Sequence, residues 1–135
     1  MSSVLPVSPF LRRVLAADAL LSGASGLLMT AGAAFLAPRL GLPAELLGVA
    51  GLSLLPFAAA LAWLATRRQL PRAALWALVA YNTLWVLDSA LLLAGGWFEP
   101  TWLGQAFVVL QALVVAVLAE LQVVGLRRAQ AAAPV

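Results

Sequence analysis

Pro43-Ala-Glu-Leu-Leu-Gly-Val-Ala-Gly-Leu-Ser-Leu-Leu-Pro-Phe-Ala-Ala-Ala-Leu-Ala-Trp-Leu-Ala-Thr66 decides the fold, because from Leu46 to Thr66 it carries no charge at all. A helix rises 1.5 Å per residue, so a run of about 20 apolar residues matches the hydrocarbon thickness of a bilayer. Arg67 and Arg68 close the run on one side. Working outward, the same pattern recurs at about Val14–Ala37, Pro71–Gly95 and Pro100–Leu126. The sequence therefore predicts an all-α, four-transmembrane-helix bundle.

Composition agrees. Of 135 residues, 64% are hydrophobic and 10% charged, against roughly 45–50% and 25% in soluble domains. A chain this short has too much surface for its volume to hide so many apolar side chains from water. Lipid is the solvent that accepts them. Residues 1–135 read as one membrane domain. Cysteine and histidine are both absent, which removes thiol chemistry and the commonest zinc and haem ligands. No metal or cofactor is expected. The basic residues are all arginine and lie at span ends, where topology explains them better than nucleic-acid binding does.

The breaks between spans carry turn chemistry: Pro38-Arg39-Leu40-Gly41, Arg67-Arg68-Gln69-Leu70 and Gly95-Gly96-Trp97-Phe98-Glu99. Pro43, Pro71 and Pro100 fall where helices begin, a position that tolerates a missing N–H. Loops this short predict antiparallel hairpins. Seven arginines (Arg12, Arg13, Arg67, Arg68, Arg72, Arg127 and Arg128) fall on one side and Arg39 alone on the other. That bias places both termini in the cytoplasm. The first span is too long for a signal-peptide core and carries Asp18, so it reads as retained. Residues 1–10 and the Ala-rich tail from Ala129 read as short flexible ends.

At 100° per residue, small side chains of the first span (Ala19, Ser22, Gly23, Gly26, Thr30, Ala33, Ala34 and Ala37) share one face. Leu20, Leu21, Leu27, Leu28 and Phe35 share the opposite one. In lipid, helices associate where small residues let backbones approach, so the small face is expected to meet other helices. The fourth span divides similarly, with Gly104, Gln105, Gln111, Ala112, Ala116, Ala119 and Gln122 on one side. Pro56 frees the carbonyl of Leu52 and predicts a bend in the second span.

Polar residues at membrane depth are the candidate site: Asp88, Gln111, Asn82, Trp85, Asp18 and Glu120. Counted in from the cytoplasmic ends, Asp18 and Glu120 lie at about 7 and 9 Å, Ser22 and Asn82 at about 13 Å, and Asp88 and Gln111 near ~22 Å. Asp18 and Glu120 are expected to reach Arg12, Arg13, Arg67 or Arg127 in an inner ion-pair network. Asp88 has no basic residue at its level. It is expected to bond Gln111 or Asn82, to be protonated, or to meet water, and it is the residue singled out for function.

No metal cluster, nucleophile–base pair or phosphate loop occurs in the sequence, which argues against an enzyme. Ala17-Asp-Ala-Leu-Leu-Ser-Gly23, Asn82-Thr-Leu-Trp85, Pro100-Thr-Trp-Leu-Gly-Gln-Ala-Phe107 and Ala119-Glu-Leu-Gln-Val-Val-Gly-Leu-Arg-Arg128 together resemble the uncharacterised small four-helix integral membrane proteins of bacteria. That resemblance implies the fold and a bacterial inner (cytoplasmic) membrane, and no activity. In size alone the chain is similar to the small multidrug resistance exporters, which pair two four-helix subunits. The functional expectation is a non-enzymatic accessory or small-ligand-binding bundle. The alternative is a small proton-coupled transporter using its membrane-embedded carboxylates. The expected partner is the lipid bilayer, with a homodimer or a membrane-protein partner left open. A fluorescent protein fused after Val135 should light up in the cytoplasm, whereas a phosphatase fused there should stay inactive; active phosphatase would reverse the orientation.

Overall fold

The computed structural model describes residues 3–132. Its order is β1 (Val4–Pro6), α1 (Pro9–Ala31), α2 (Ala33–Leu40), α3 (Ala44–Ala65), β2 (Gln69–Pro71), α4 (Arg72–Ala94) and α5 (Trp102–Ala132). The fold is helical, and α1, α3, α4 and α5 are each long and apolar enough to cross a membrane. The helix α1 packs most extensively along α3, and α4 along α5, while α1 also meets α5.

Three boundaries differ from the sequence reading, each for a local reason. The first span begins five residues earlier than Val14, because Ser8 caps it by accepting a hydrogen bond from Leu11 N at 3.1 Å and Pro9 suits the first turn. Its outer end is not one helix to Ala37. Gly32 interrupts it, and α2 continues through Pro38 to Leu40 until Gly41, at φ +68°, stops it in the left-handed region that favours glycine. The fourth helix runs past Leu126 and past the expected tail start at Ala129 to Ala132. Thr101 caps its other end, accepting from Gly104 N at 3.1 Å. In α3 the helix is continuous across Pro56.

The amino-terminal segment is not a loose end. Residues 4–6 pair antiparallel with 69–71, Leu5 opposite Leu70. Val7 N donates to Arg68 O at 2.9 Å and Arg72 N to Ser3 O at 2.8 Å. Leu5 and Leu70 are each 1% exposed. Residues 1–2 and 133–135 of the expected flexible ends lie outside the described residues.

Side-chain size sorts the helix faces as expected. Leu20, Leu21, Leu27, Leu28 and Phe35 point outward, whereas Ser22 and Gly26 are buried; Ala34, placed on the small face, is exposed. The backbones of α1 and α3 approach closely at paired glycines. A Cβ on Gly26 would lie 3.0 Å from Gly51 O, and one on Gly51 would lie 2.9 Å from Gly26 O and 2.7 Å from Thr30 Oγ1. Without water to drive association, this contact supplies dispersion energy that bulkier residues would forfeit. Trp63, Trp76, Trp97 and Trp102 are all exposed, as interfacial anchors would be.

Gly51→Ala should destabilise the bundle by about 1–3 kcal/mol through overpacking. Gly48→Ala, where a Cβ meets nothing within 4 Å, should be neutral or stabilising by up to ~1 kcal/mol from helix propensity. Thermal unfolding in detergent compares the two.

Candidate functional site

Asp18 is the polar centre of the bundle. It is 1% exposed, and Asn82 and Gln122 beside it are 2% and 0% exposed. One turn along α1, Ser22 Oγ donates to Asp18 Oδ1 at 2.9 Å. From α4, Asn82 Nδ2 donates to Oδ2 at 3.0 Å, and from α5, Gln122 Nε2 donates to the same oxygen at 2.6 Å. Asn82 Nδ2 also donates to Gln122 Oε1 at 3.0 Å, so the two amides brace each other. The carboxylate thus receives three donors in place of water, and one side chain ties three helices together.

The expected inner ion-pair network is replaced by this hydrogen-bonded cluster. Arg12, one of the expected partners, instead donates to the backbone carbonyls of Ala65 and Arg67. There it satisfies the carboxyl end of α3, where the helix dipole favours positive charge. Glu120 faces outward: it lies two residues from Gln122, about 200° around α5 at 100° per residue. Asp18 and Glu120 are therefore not brought together.

Asp88 also departs from expectation. It is exposed and bonds neither Gln111 nor Asn82: the donor groups of Asn82 go to Asp18 and Gln122, and Gln111 Nε2 lies 3.7 Å from the sulfur of Met29. Asp88 instead edges a cavity. Among the described residues, two cavities adjoin one another in the bundle. The larger, about 250 Å³, has Asp18 and Ser22 at its polar end with Ser25, Val114 and Leu118 along its walls. The smaller, about 170 Å³, takes in Asp88, Ser89, Met29 and Leu92. Trp85, Phe107 and Gln111 line both, so they form the partition between the two chambers.

Trp85 is held from behind by stacking. Phe57 and Tyr81 rings stack with centroids 4.0 Å apart, and Tyr81 and Trp85 with centroids 6.5 Å apart. Tyr81 Oη and Ser53 Oγ are 3.0 Å apart, which fastens this ladder to α3. The indole Nε1–H of Trp85 is buried without a hydrogen-bond partner among the described residues. An orphaned donor of this kind is uncommon in folded proteins.

Four of the six sequence candidates thus belong to two connected features: Asp18 and Asn82 to the cluster, Trp85 and Gln111 to the partition. Asp88 borders the second chamber, and Glu120 lies apart. Ser22 and Gln122 complete the cluster but were not among the candidates. The signal for Gln122 was its place on the polar side of α5, together with a depth that matches Asp18 once the helix ends are set correctly.

The architecture is thus a four-span helical bundle of the multi-pass membrane class, with a polar cluster and two chambers in its interior. Comparison with protein-family models, with curated proteins and with solved structures finds no match for the chain. Its function must be argued from the chambers themselves.

Asp18→Ala should cost about 1–3 kcal/mol for each cluster amide it strands. Asp88→Ala, at an exposed position, should stay within ~0.5 kcal/mol of the parent. Reversible unfolding by SDS in mixed micelles measures both.

Proposed function

We propose that the chain is a non-enzymatic integral membrane protein that holds a small, mainly apolar molecule in the chamber beside Asp18. In this reading its helices form antiparallel hairpins in the bacterial inner membrane with both termini cytoplasmic, as the arginine bias supports. The single observation that carries the binding reading is the chamber itself. Its walls are mainly apolar, with a few polar groups (Asp18, Ser22 and Ser25, and Gln111 at the partition), which is the usual make-up of a small-molecule site. At about 250 Å³ it is slightly below the usual range for drug-sized ligands, which points to a small occupant or one segment of a longer one. The cluster argues against acid–base catalysis by Asp18, since amide and hydroxyl donors already occupy its oxygens. A homodimer or a second membrane protein would sit on the outward leucine faces.

A second reading, a small proton-coupled transporter, draws on a different observation. The two chambers share a partition and each has one aspartate on its lining, Asp18 in one and Asp88 in the other. Movement of Trp85 or Gln111 would join them into a path along the bundle.

Trp85 supplies the test. With Trp63, Trp76, Trp97 and Trp102 changed to Phe, its fluorescence in lipid nanodiscs should change saturably on titration with decanol. Ser25→Phe, which fills the chamber, should abolish that response. A linear, unsaturable change identical in both proteins would mean bilayer partitioning alone and would defeat the binding reading.

A further inference from the structure

The chamber beside Asp18 has an apolar stop on one side and an apolar mouth on another, and the two features together define who can enter. The stop is a leucine layer. Leu15 lies three residues before Asp18, Leu78 four before Asn82, and Leu126 four after Gln122, so each cluster helix presents a leucine one turn toward the same end of the bundle. These three belong to one buried core with Leu5, Leu11, Leu61, Leu64, Leu70 and Leu75. Leu15, Leu5, Leu70 and Leu126 are 0%, 1%, 1% and 1% exposed. The β1–β2 strap lies across this layer and is fastened on both edges by the Val7–Arg68 and Arg72–Ser3 hydrogen bonds. Arg12 adds a third fastening at the end of α3.

The mouth lies between α1 and α5. Leu21, Leu28 and Leu110 line the chamber and are also 46%, 51% and 64% exposed on the outer surface of the bundle. In a membrane, that surface meets acyl chains.

Building on the binding reading above, we propose that this chamber is filled sideways from the bilayer, between α1 and α5, by an uncharged chain-bearing molecule with a hydroxyl or amide end, the strap and leucine layer sealing it from the arginine-rich side. Three observations select the ligand class. The mouth is leucine, and carrying a charge through hydrocarbon costs at least about 2.5–3.5 kcal/mol. Asp18 already has three donors, so it has no need of a cation to replace water. The polar end of the chamber offers a remaining lone pair on Asp18 Oδ1, which takes Ser22 Oγ as its one donor, and hydroxyls in Ser22 and Ser25, which a group that both donates and accepts matches. A carboxylate end would offer acceptors alone and no donor for Asp18.

The chain has no cysteine, so single thiols can be placed without background. In liposomes, Ser25→Cys should react with decyl methanethiosulfonate about a hundredfold faster than with the sulfonatoethyl reagent, as the charge cost above requires. Ser22→Cys should behave alike and repeats the test inside the cluster. Adding Leu5→Asp should open the strap and let the sulfonatoethyl reagent reach either thiol. Decanol should slow decyl labelling of Ser25→Cys, while decanoate and decylamine should not. Comparable rates with both reagents in the intact chain would show a water route and overturn the lateral one. Failure of the decyl reagent would overturn it too, and continued protection after Leu5→Asp would remove the strap as the seal. Protection by decanoate or decylamine equal to that by decanol would overturn the ligand class. The comparison of the two reagents, made without decanol, does not depend on whether decanol binds saturably, so the entry route and the binding reading fail separately.

Discussion

Hydrocarbon offers no hydrogen bonds, and that single constraint explains why Asp18 lies where it does. A carboxylate taken out of water must be solvated by the protein itself. Ser22, Asn82 and Gln122 do so from three helices, with Gln122 Nε2 only 2.6 Å from Oδ2. Leucine contacts between helices hardly discriminate one arrangement from another in lipid, because lipid is as apolar as leucine. A polar cluster does discriminate. Sliding α4 by one residue would strand the Asn82 amide and sliding α5 the Gln122 amide, so the cluster fixes register where apolar packing alone could not.

Close packing supplies what the cluster does not. The cluster joins α1 to α4 and α5, but α3 contributes nothing to it. That helix is held by the Gly26–Gly51 approach to α1 and by the Phe57–Tyr81–Trp85 ladder to α4. The strap and Arg12 then gather the ends of α1, α3 and α4. Polar register, small-residue contact and a peripheral clasp therefore act on different helix pairs. The two chambers remain where none of the three brings the helices together.

The four spans were legible in the sequence because about 20 apolar residues in a row have few other uses. The face assignments were legible for the same reason, since glycine and serine sort against leucine at helical spacing. The cluster was only half legible. Asp18 and Asn82 were singled out, but depth was counted from Val14 and not from Pro9, and from Leu126 and not from Ala132. With the observed ends, Asp18 lies about 13.5 Å from the start of α1, Asn82 about 15 Å from the start of α4, and Gln122 about 15 Å from the carboxyl end of α5. Those three form one layer, and Asp88, at about 24 Å, does not belong to it. The error came from helix caps: Ser8-Pro9 reads as loop until its capping bond is seen. The β1–β2 strap was illegible because three-residue strands leave no periodicity to read.

The cluster's claim to set the register rests on Asp18 and Gln122 acting as a pair. A double-mutant cycle with Asp18→Ala and Gln122→Ala, read by SDS unfolding, measures that directly. Coupling near the ~0.6–1.7 kcal/mol found for interhelical hydrogen bonds in membranes is the expected result. Strictly additive losses would mean that the carboxylate and the amide stabilise the bundle independently, and that something other than their bond holds α1 to α5.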